Sequence, residues 1–376
     1  MMQLTETQIA IQESVQDFAQ SQIKPNCFDY EREGGYPKEL FKEIANMGLW
    51  GMLAPDEFGG TESDYVSLAL SIIEIARADG ALSTIVSVQN SLVISILLAK
   101  GNAEQKGRFL RQLTSGESIG CFCLTEPDAG SDASSLRTRA TKVEGGWKLD
   151  GAKQFITSGK IASLAIVFAA TDPDAGKRGL TAFLVPTNKE GFIVDKIEHK
   201  LGQHASDTAA LRFENLFVED DLVLGQVGEG YKIALSNLEG GRIGIAAQAI
   251  GMAQAALEIA IQYAKDRTTF GKPIIEHQAV GFRLAGLKAK LEAARQLVLS
   301  AAAMKDAGSP SLIQASMAKL VASETAEEVI TGSIQTLGGY GYLEEFGIAK
   351  IYRDSRVCQI YEGTSDIQKM VISRNL

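Results

Sequence analysis

The stretch Ile243-Gly244-Ile245-Ala246-Ala247-Gln248-Ala249-Ile250-Gly251-Met252-Ala253-Gln254-Ala255-Ala256-Leu257, continuing to Lys265, is rich in alanine and apolar on nearly every side. Alanine loses least on entering a helix, and a helix without a polar face has to be enclosed by other elements. The chain therefore needs partners for a central buried helix. Downstream, Leu284, Leu287, Leu291, Ala294 and Val298 recur at alternating spacings of three and four, the pattern of a bundle seam. Ser309-Pro310 reads as an N-cap with proline at the first helical position, opening a further helix to about Leu337. Upstream, residues 5 to 116 also read as helices. Thr5 with Gln8 forms a capping box, Ile9, Val15, Phe18 and Ala19 approximate one face, and Gly34-Gly35-Tyr36-Pro37 breaks the chain before an amphipathic turn at 38–44. Ser63–Ala78 and Ser83–Ala99 are two strongly apolar helices, the second too apolar for a surface position.

Between these helical parts the period changes. Segments such as 140–143, 146–150, 165–170, 180–185 and 209–213 are short, apolar or alternating, and separated by turn clusters such as Asp172-Pro173-Asp174-Ala175-Gly176. No helix intervenes between them, which favours an antiparallel sheet over a parallel one. The expected fold is mainly α with a central β domain: an N-terminal helical domain (1–119), an antiparallel β domain (120–225) and a C-terminal helical bundle domain (226–376).

Composition narrows the function. With 376 residues, 45% apolar and 22% charged, the chain has a globular make-up and enough length for two or three domains. A net charge of −9 without clustered Lys and Arg argues against nucleic-acid binding. Four cysteines without CxxC spacing and only three histidines argue against a metal site or a disulfide framework. Met1 to Glu6 is neither a signal-peptide start nor an Arg-rich transit peptide, and no uncharged run approaches eighteen apolar residues, so the expectation is a protein without a membrane span that is cytoplasmic or the mature form of an organellar matrix protein.

Five stretches combine residue types suited to a polar ligand, and each has a plain structural reading beside it. Cys123-Leu124-Thr125-Glu126-Pro127-Asp128-Ala129-Gly130-Ser131-Asp132 is a connecting loop or a cradle for a cofactor. Gln154-Phe155-Ile156-Thr157-Ser158-Gly159 sets a ring and a hydroxyl on one side of a strand, as a core Phe beside a surface Thr or as a stacking platform for a flat heterocycle. Arg267-Thr268-Thr269-Phe270-Gly271-Lys272 is a solvated helix end or a phosphate and purine site. Gln335-Thr336-Leu337-Gly338-Gly339-Tyr340-Gly341-Tyr342 is a helix C-cap or an anion-binding run of amides. In Ile360-Tyr361-Glu362-Gly363-Thr364-Ser365-Asp366-Ile367-Gln368, Ser365 and Gln368 fit a capping box that opens a last short helix. Glu362 then precedes a helix N-terminus, as a capping acid or as a catalytic one.

Taken together and in this order, the five stretches resemble the acyl-CoA dehydrogenase family of flavoproteins, over essentially the whole chain. The resemblance implies a four-helix C-terminal bundle, assembly as a homotetramer, FAD as cofactor and a place in fatty-acid β-oxidation. It implies that Leu124 and Thr125 contact the flavin, that Phe155 stacks on it where relatives often have Trp, and that Thr157 bonds near N5. Ser131 would lie at the cofactor phosphates or the thioester ligand, and Thr364 and Asp366 would touch FAD at the last helix start. Arg267, Phe270 and Gln278, with Gln335, Gly338 and Gly339, would reach the FAD of a neighbouring subunit. Glu239 and Arg242 match positions that meet CoA, and Tyr361 and Gly363 flank the base position as substrate contacts. Glu362 matches the base. Relatives of the isovaleryl type carry the base immediately before Arg242, but here that residue is Gly241, which has no acid to offer.

The implied reaction is α,β-dehydrogenation of an acyl-CoA to a trans-2-enoyl-CoA. Glu362 takes the α-proton, hydride passes from the β-carbon to flavin N5, and electron-transferring flavoprotein reoxidises the flavin. Ser87 to Val93 and Gly241 to Gln248 look most like short-chain and short branched-chain members. The alternatives are an oxidase or β-eliminating member of the family, or a helical scaffold without catalysis.

Overall fold

A computed structural model of the protein describes residues 2–376. The N-terminal part contains α1 (Glu6–Phe18), α2 (Cys27–Glu33), α3 (Lys38–Asn46), α4 (Tyr65–Ala78), α5 (Gly80–Val88), α6 (Ser95–Lys100) and α7 (Ala103–Thr114). The Thr5–Gln8 capping box is present, and Gly34, in the left-handed region, ends α2 before the break. A π-helical turn, Gln89–Ile94, joins α5 to α6. Its buried Asn90 donates to Leu49 O at 2.8 Å and accepts from Met52 N at 2.9 Å, so the wide turn fastens the glycine-rich loop that follows α3.

Eight strands form the central sheet: β1 (Gly120–Cys123), β2 (Arg139–Val143), β3 (Gly146–Thr157), β4 (Leu164–Ala170), β5 (Leu180–Pro186), β6 (Phe192–Ile197), β7 (Thr208–Glu219) and β8 (Val223–Leu224). They run in the order β6-β7-β3-β2-β4-β5-β8, with β1 also paired to β4. The pairings are antiparallel except those on one edge of β4, where Gly120 faces Leu164 and Arg139 faces Ala170 in parallel. Antiparallel direction is imposed where a short turn joins neighbours. β1 and β4 are separated by the whole β2–β3 hairpin, so nothing reverses the chain between them.

The C-terminal part contains α8 (Gly230–Ser236), α9 (Leu238–Asp266), a small hairpin of β9 (Thr268–Thr269) and β10 (Lys272–Pro273), α10 (Gln278–Asp306), α11 (Leu312–Leu337), α12 (Ile348–Ser355) and α13 (Ser365–Ser373). α9 is the enclosed helix expected from its composition: α10, α11 and α12 pack around it, and α4 and α5 close its remaining side. All five seam residues of α10 are buried. α11 begins at Leu312, three residues after Ser309, because Gly308 turns left-handed and Ser309 N–H still closes the end of α10 on Met304 O.

Gly80–Lys100 and Gly230–Asp266 are long and apolar enough to cross a bilayer, yet 89% and 83% of their most apolar windows are buried within the fold, so their apolar character is that of core. One core joins the N-terminal helices to α9, α10 and α11, and a second joins α5, α6 and α7 to the sheet. The N-terminal helices thus hold bundle and sheet side by side, with a cleft between them. α4 and α9 approach so closely that a Cβ on Gly251 would lie 2.2 Å from Ile73 O. Gly251→Val should therefore lower stability by roughly 1–3 kcal/mol through overpacking, measured by thermal or denaturant unfolding.

Candidate active site

The turn between α12 and α13 carries the acid. Glu362 has φ +54° and Gly363 φ +88°, a conformation that L residues seldom adopt unless their surroundings fix it. Here the surroundings do. Gln368 Nε2 donates to Glu362 O (3.2 Å) and Gly363 O (2.8 Å), and Lys319 Nζ, reaching across from α11, donates to Gly363 O at 2.7 Å. The N-cap of α13 is Thr364, whose Oγ1 accepts the Ile367 N–H. The expected Ser365–Gln368 capping box is not formed, since the buried Gln368 amide turns back to the two carbonyls that the left-handed turn directs toward it. Tyr361 bonds through its hydroxyl to Gln248 Oε1, and Gln248 Nε2 is tied to Gly80 O, Ser83 and Thr84. The turn is therefore anchored to α5, α9, α11 and α13.

The Glu362 carboxyl lies against bare backbone of α9. A Cβ on Gly241 would come within 2.6 Å of Glu362 Oε2, so the missing side chain is the space the carboxylate occupies. Desolvation pushes Glu362 up to about 7, opposed by the charges of Arg242 and Lys319. Arg242 is 4% exposed, donates to Ser316 Oγ at 3.0 Å, and has a buried Nε without a hydrogen-bond partner. Burial holds its guanidinium below its ordinary range, against the pull of Glu362 and Glu239. Glu239, in the first turn of α9, bonds to Lys305 Nζ (3.4 Å) and Ser311 Oγ (3.0 Å).

Glu362 opens onto a cavity of about 620 Å³ between sheet and bundle, whose walls include Thr125, Ser131, Phe155, Thr157, Tyr361, Gly363 and Thr364. Phe155 sits at φ +59° with its ring 64% exposed, beside the register shift between Lys153 and Ile156 where β3 pairs with β7. An aromatic ring left uncovered at a cleft wall, hydroxyls at Thr125, Ser131 and Thr157, and the amide end of α13 together fit a flat heterocycle with an anionic tail. The loop after β1 is anchored by a buried ion pair. Lys153 Nζ meets Glu126 Oε1 at 2.7 Å and Leu124 O at 3.1 Å, while the Glu126 carboxylate also accepts the Arg137 and Thr138 N–H groups. Leu124 lies immediately before this cavity wall; Asp366 is exposed in the first turn of α13.

The remaining predicted residues lie elsewhere. Arg267 caps the C-terminal end of α9, Gln278 begins α10, and Gln335, Gly338 and Gly339 end α11, so all share one end of the bundle; Phe270 projects from the small hairpin, 96% exposed. From Gly241 to Arg267 along α9 is about 39 Å at 1.5 Å per residue, beyond reach of this chain's own cleft. The residues that sequence reasoning missed are Lys319 and Gln368 as supports of the turn. For Lys319 a signal existed: it falls on the stripe of Ala315, Ala318, Ala322 and Ala326, which is buried.

Residues 5–117, 121–216 and 228–376 match the families described as Acyl-CoA dehydrogenase, N-terminal domain, middle domain and C-terminal domain. An acyl-CoA dehydrogenase of Bacillus subtilis (strain 168) is 44% identical over 375 residues, covering 100% of this chain and 99% of that one. The solved structure of butyryl-CoA dehydrogenase from Megasphaera elsdenii superposes with a TM-score of 0.97 at 40% identity, covering 100% and 99% of the two chains. A structure from work on the electron transferring flavoprotein of Acidaminococcus fermentans gives a TM-score of 0.98 at 39% identity, again over 100% and 99%. The chain belongs to the acyl-CoA dehydrogenase family of FAD-dependent oxidoreductases.

Because the Glu362 carboxylate fills the space at Gly241, Gly241→Ala should fold and load flavin yet displace the acid. Flavin reduction by an acyl-CoA, followed by stopped-flow absorbance, should slow by about tenfold to a hundredfold, as misplacement by roughly 1 Å does.

Proposed function

We propose that the protein dehydrogenates a short-chain or short branched-chain acyl-CoA between its α and β carbons, with Glu362 as the base for the α-proton. The observation that carries this reading is the Glu362 carboxylate itself, desolvated, facing the same cavity as Phe155 and Thr157, and raised to about 7. A base with that proton affinity is ionised in a large fraction at neutral pH and is strong enough to draw on a weakly acidic α-carbon. An α-proton leaves only if the developing enolate is stabilised, and we assign the thioester oxygen to the Glu362 backbone N–H. Entry of the acyl-CoA would displace water from the cavity and further raise the basicity of the carboxylate. With the α-proton on Glu362 and the β-hydrogen gone together with two electrons, the acyl-CoA would be left as the trans-2-enoyl-CoA.

FAD, when bound, supplies the acceptor for the two electrons and the β-hydrogen. Leu124, Thr125, Phe155 and Thr157 would hold its ring system, with Ser131, Thr364 and Asp366 toward its phosphates. Glu239 and Arg242 stand at the mouth of α9, where we place the CoA end of the substrate, and Tyr361 and Gly363 flank the reacting carbons. Short chains are favoured because α5 and α9 converge just beyond the base: a Cβ on Gly244 would lie 2.2 Å from Ser87 Oγ.

We further propose a homotetramer in which Arg267, Phe270, Gln278, Gln335, Gly338 and Gly339 complete the FAD site of a neighbour. The nearly bare Phe270 and Tyr342 rings, 96% and 90% exposed, support a covering partner. Electron-transferring flavoprotein is the proposed acceptor, and slow reoxidation by air with fast reoxidation by that protein is the expected pattern.

Glu362→Gln should retain FAD and bind acyl-CoA while flavin reduction slows by about three orders of magnitude or more; reduction at the wild-type rate would refute the base assignment. In the unaltered enzyme the ionised carboxylate is the active form, so reduction should fall as pH drops through about 7, measured as the acid limb of the rate profile. Turnover of C4, 2-methyl C4, C8 and C16 thioesters should be greatest among the C4 compounds, and a C16 optimum would contradict the short-chain reading.

A further inference from the structure

We propose that Lys319 is a positioning residue for the base: its ammonium clamps the Gly363 carbonyl and adds to the charge of Arg242 in keeping the Glu362 carboxylate ionised before substrate arrives. The inference rests on the reading of Glu362 as the base.

Lys319 lies about a third of the way along α11, 0% exposed, among the largest fully buried side chains of the protein. An ammonium withdrawn from water is costly unless a counter-charge or a full set of acceptors compensates. Its hydrogen bond to Gly363 O, 2.7 Å long, is one that a neutral amide could also make. The positive charge therefore calls for another account. The groups that face Lys319 electrostatically are Glu362 on the turn, Cys358 on the 3₁₀ turn Arg356–Gln359, and Arg242 on α9. Cys358 is a buried thiol pushed up to about 12, and the neighbouring Tyr361 phenol is also raised by burial, so both are neutral at physiological pH. Arg242 is a like charge. Glu239 faces Arg242 from one turn earlier in α9, and α13 presents the neutral Gln368 amide. That leaves the Glu362 carboxylate as the anion that offsets a buried ammonium at Lys319.

The arrangement is reciprocal. Desolvation holds Lys319 down to about 8, opposed by Cys358 and by Glu362, of which only Glu362 carries a charge near neutrality. In return, the ammonium opposes the desolvation that would otherwise protonate Glu362. A neutral residue at position 319 could retain the turn but not this second effect, which separates positioning by charge from support alone.

The test uses the flavin-loaded, substrate-free protein and reads the protonated-carboxyl infrared band that Glu362→Gln removes. Its pH midpoint should rise by about one unit in Lys319→Gln and Lys319→Met, as expected for loss of a nearby opposite charge, and remain near the wild-type value in Lys319→Arg. The acid limb of flavin reduction should move with it. An unchanged midpoint in Lys319→Gln overturns the proposal, while absence of a Glu362-dependent acid limb in the wild type would instead count against Glu362 as the base. If neither neutral variant folds, the same coupling is read from the other side in Glu362→Gln. There Lys319 loses its counter-charge, its folded-state affinity for protons falls further below the ordinary 10.5, and the pH range over which stability rises with pH begins lower than in the wild type. An unshifted onset contradicts the coupling.

Discussion

A carboxylate is a stronger base when it is withdrawn from water and not consumed by hydrogen bonds, and the structure gives Glu362, the proposed base, that setting by placing it on a left-handed turn against a glycine. The two carbonyls of the turn, not the carboxylate, take the donors of Gln368 and Lys319. The carboxylate meets the bare backbone at Gly241. Moving any one of these elements changes what the acid touches. Gly363 takes its positive φ without a Cβ penalty, and Glu362, which does carry that penalty, is held there by side chains from two helices.

The same constraint explains why α9 is long and apolar. Its N-terminal end supplies Gly241 and Arg242 to the surroundings of Glu362, and its middle is enclosed by α4, α5, α10, α11 and α12. Its far end lies outside the reach of the cleft. A helix that serves a site at one end and an exposed hairpin at the other has to be rigid between them, and enclosure on all sides provides that rigidity. In the proposed tetramer this rod sets the distance between a chain's own base and the surface it offers to a neighbour.

What was legible in the sequence follows the range of the interactions involved. The Thr5–Gln8 capping box, the α10 seam from Leu284 to Val298 and the enclosed character of 243–265 depend on neighbours three or four residues apart, and each is found in the fold. The mixed direction of β1 was not legible, because it depends on where a strand 40 residues later comes to rest. The supports of the turn were hidden for the same reason: Lys319 meets Gly363 across 44 positions, and Tyr361 meets Gln248 across 113. Gln368 misled locally because three-residue spacing from Ser365 has the form of a cap, while its burial directs the amide elsewhere. Glu362 itself is ambiguous by spacing alone, and it was the resemblance of five ordered stretches that singled it out.

The charges around the base follow a common logic. Arg242 and Lys319 are both buried and give their hydrogen bonds to Ser316 and Gly363 O, so they act on Glu362 through space across a poorly solvated region. A direct salt bridge would fix the carboxylate and depress its proton affinity far below the working range. Complete isolation would leave it protonated. Two cations at a distance give the intermediate case, in which attraction offsets only part of the desolvation and the carboxyl is pushed up to about 7. When Glu362 accepts a proton, negative charge moves from the carboxylate toward the thioester oxygen held at its own backbone N–H in the proposed mechanism. The surrounding positive field then acts on the enolate instead of the base, without any side chain having to move.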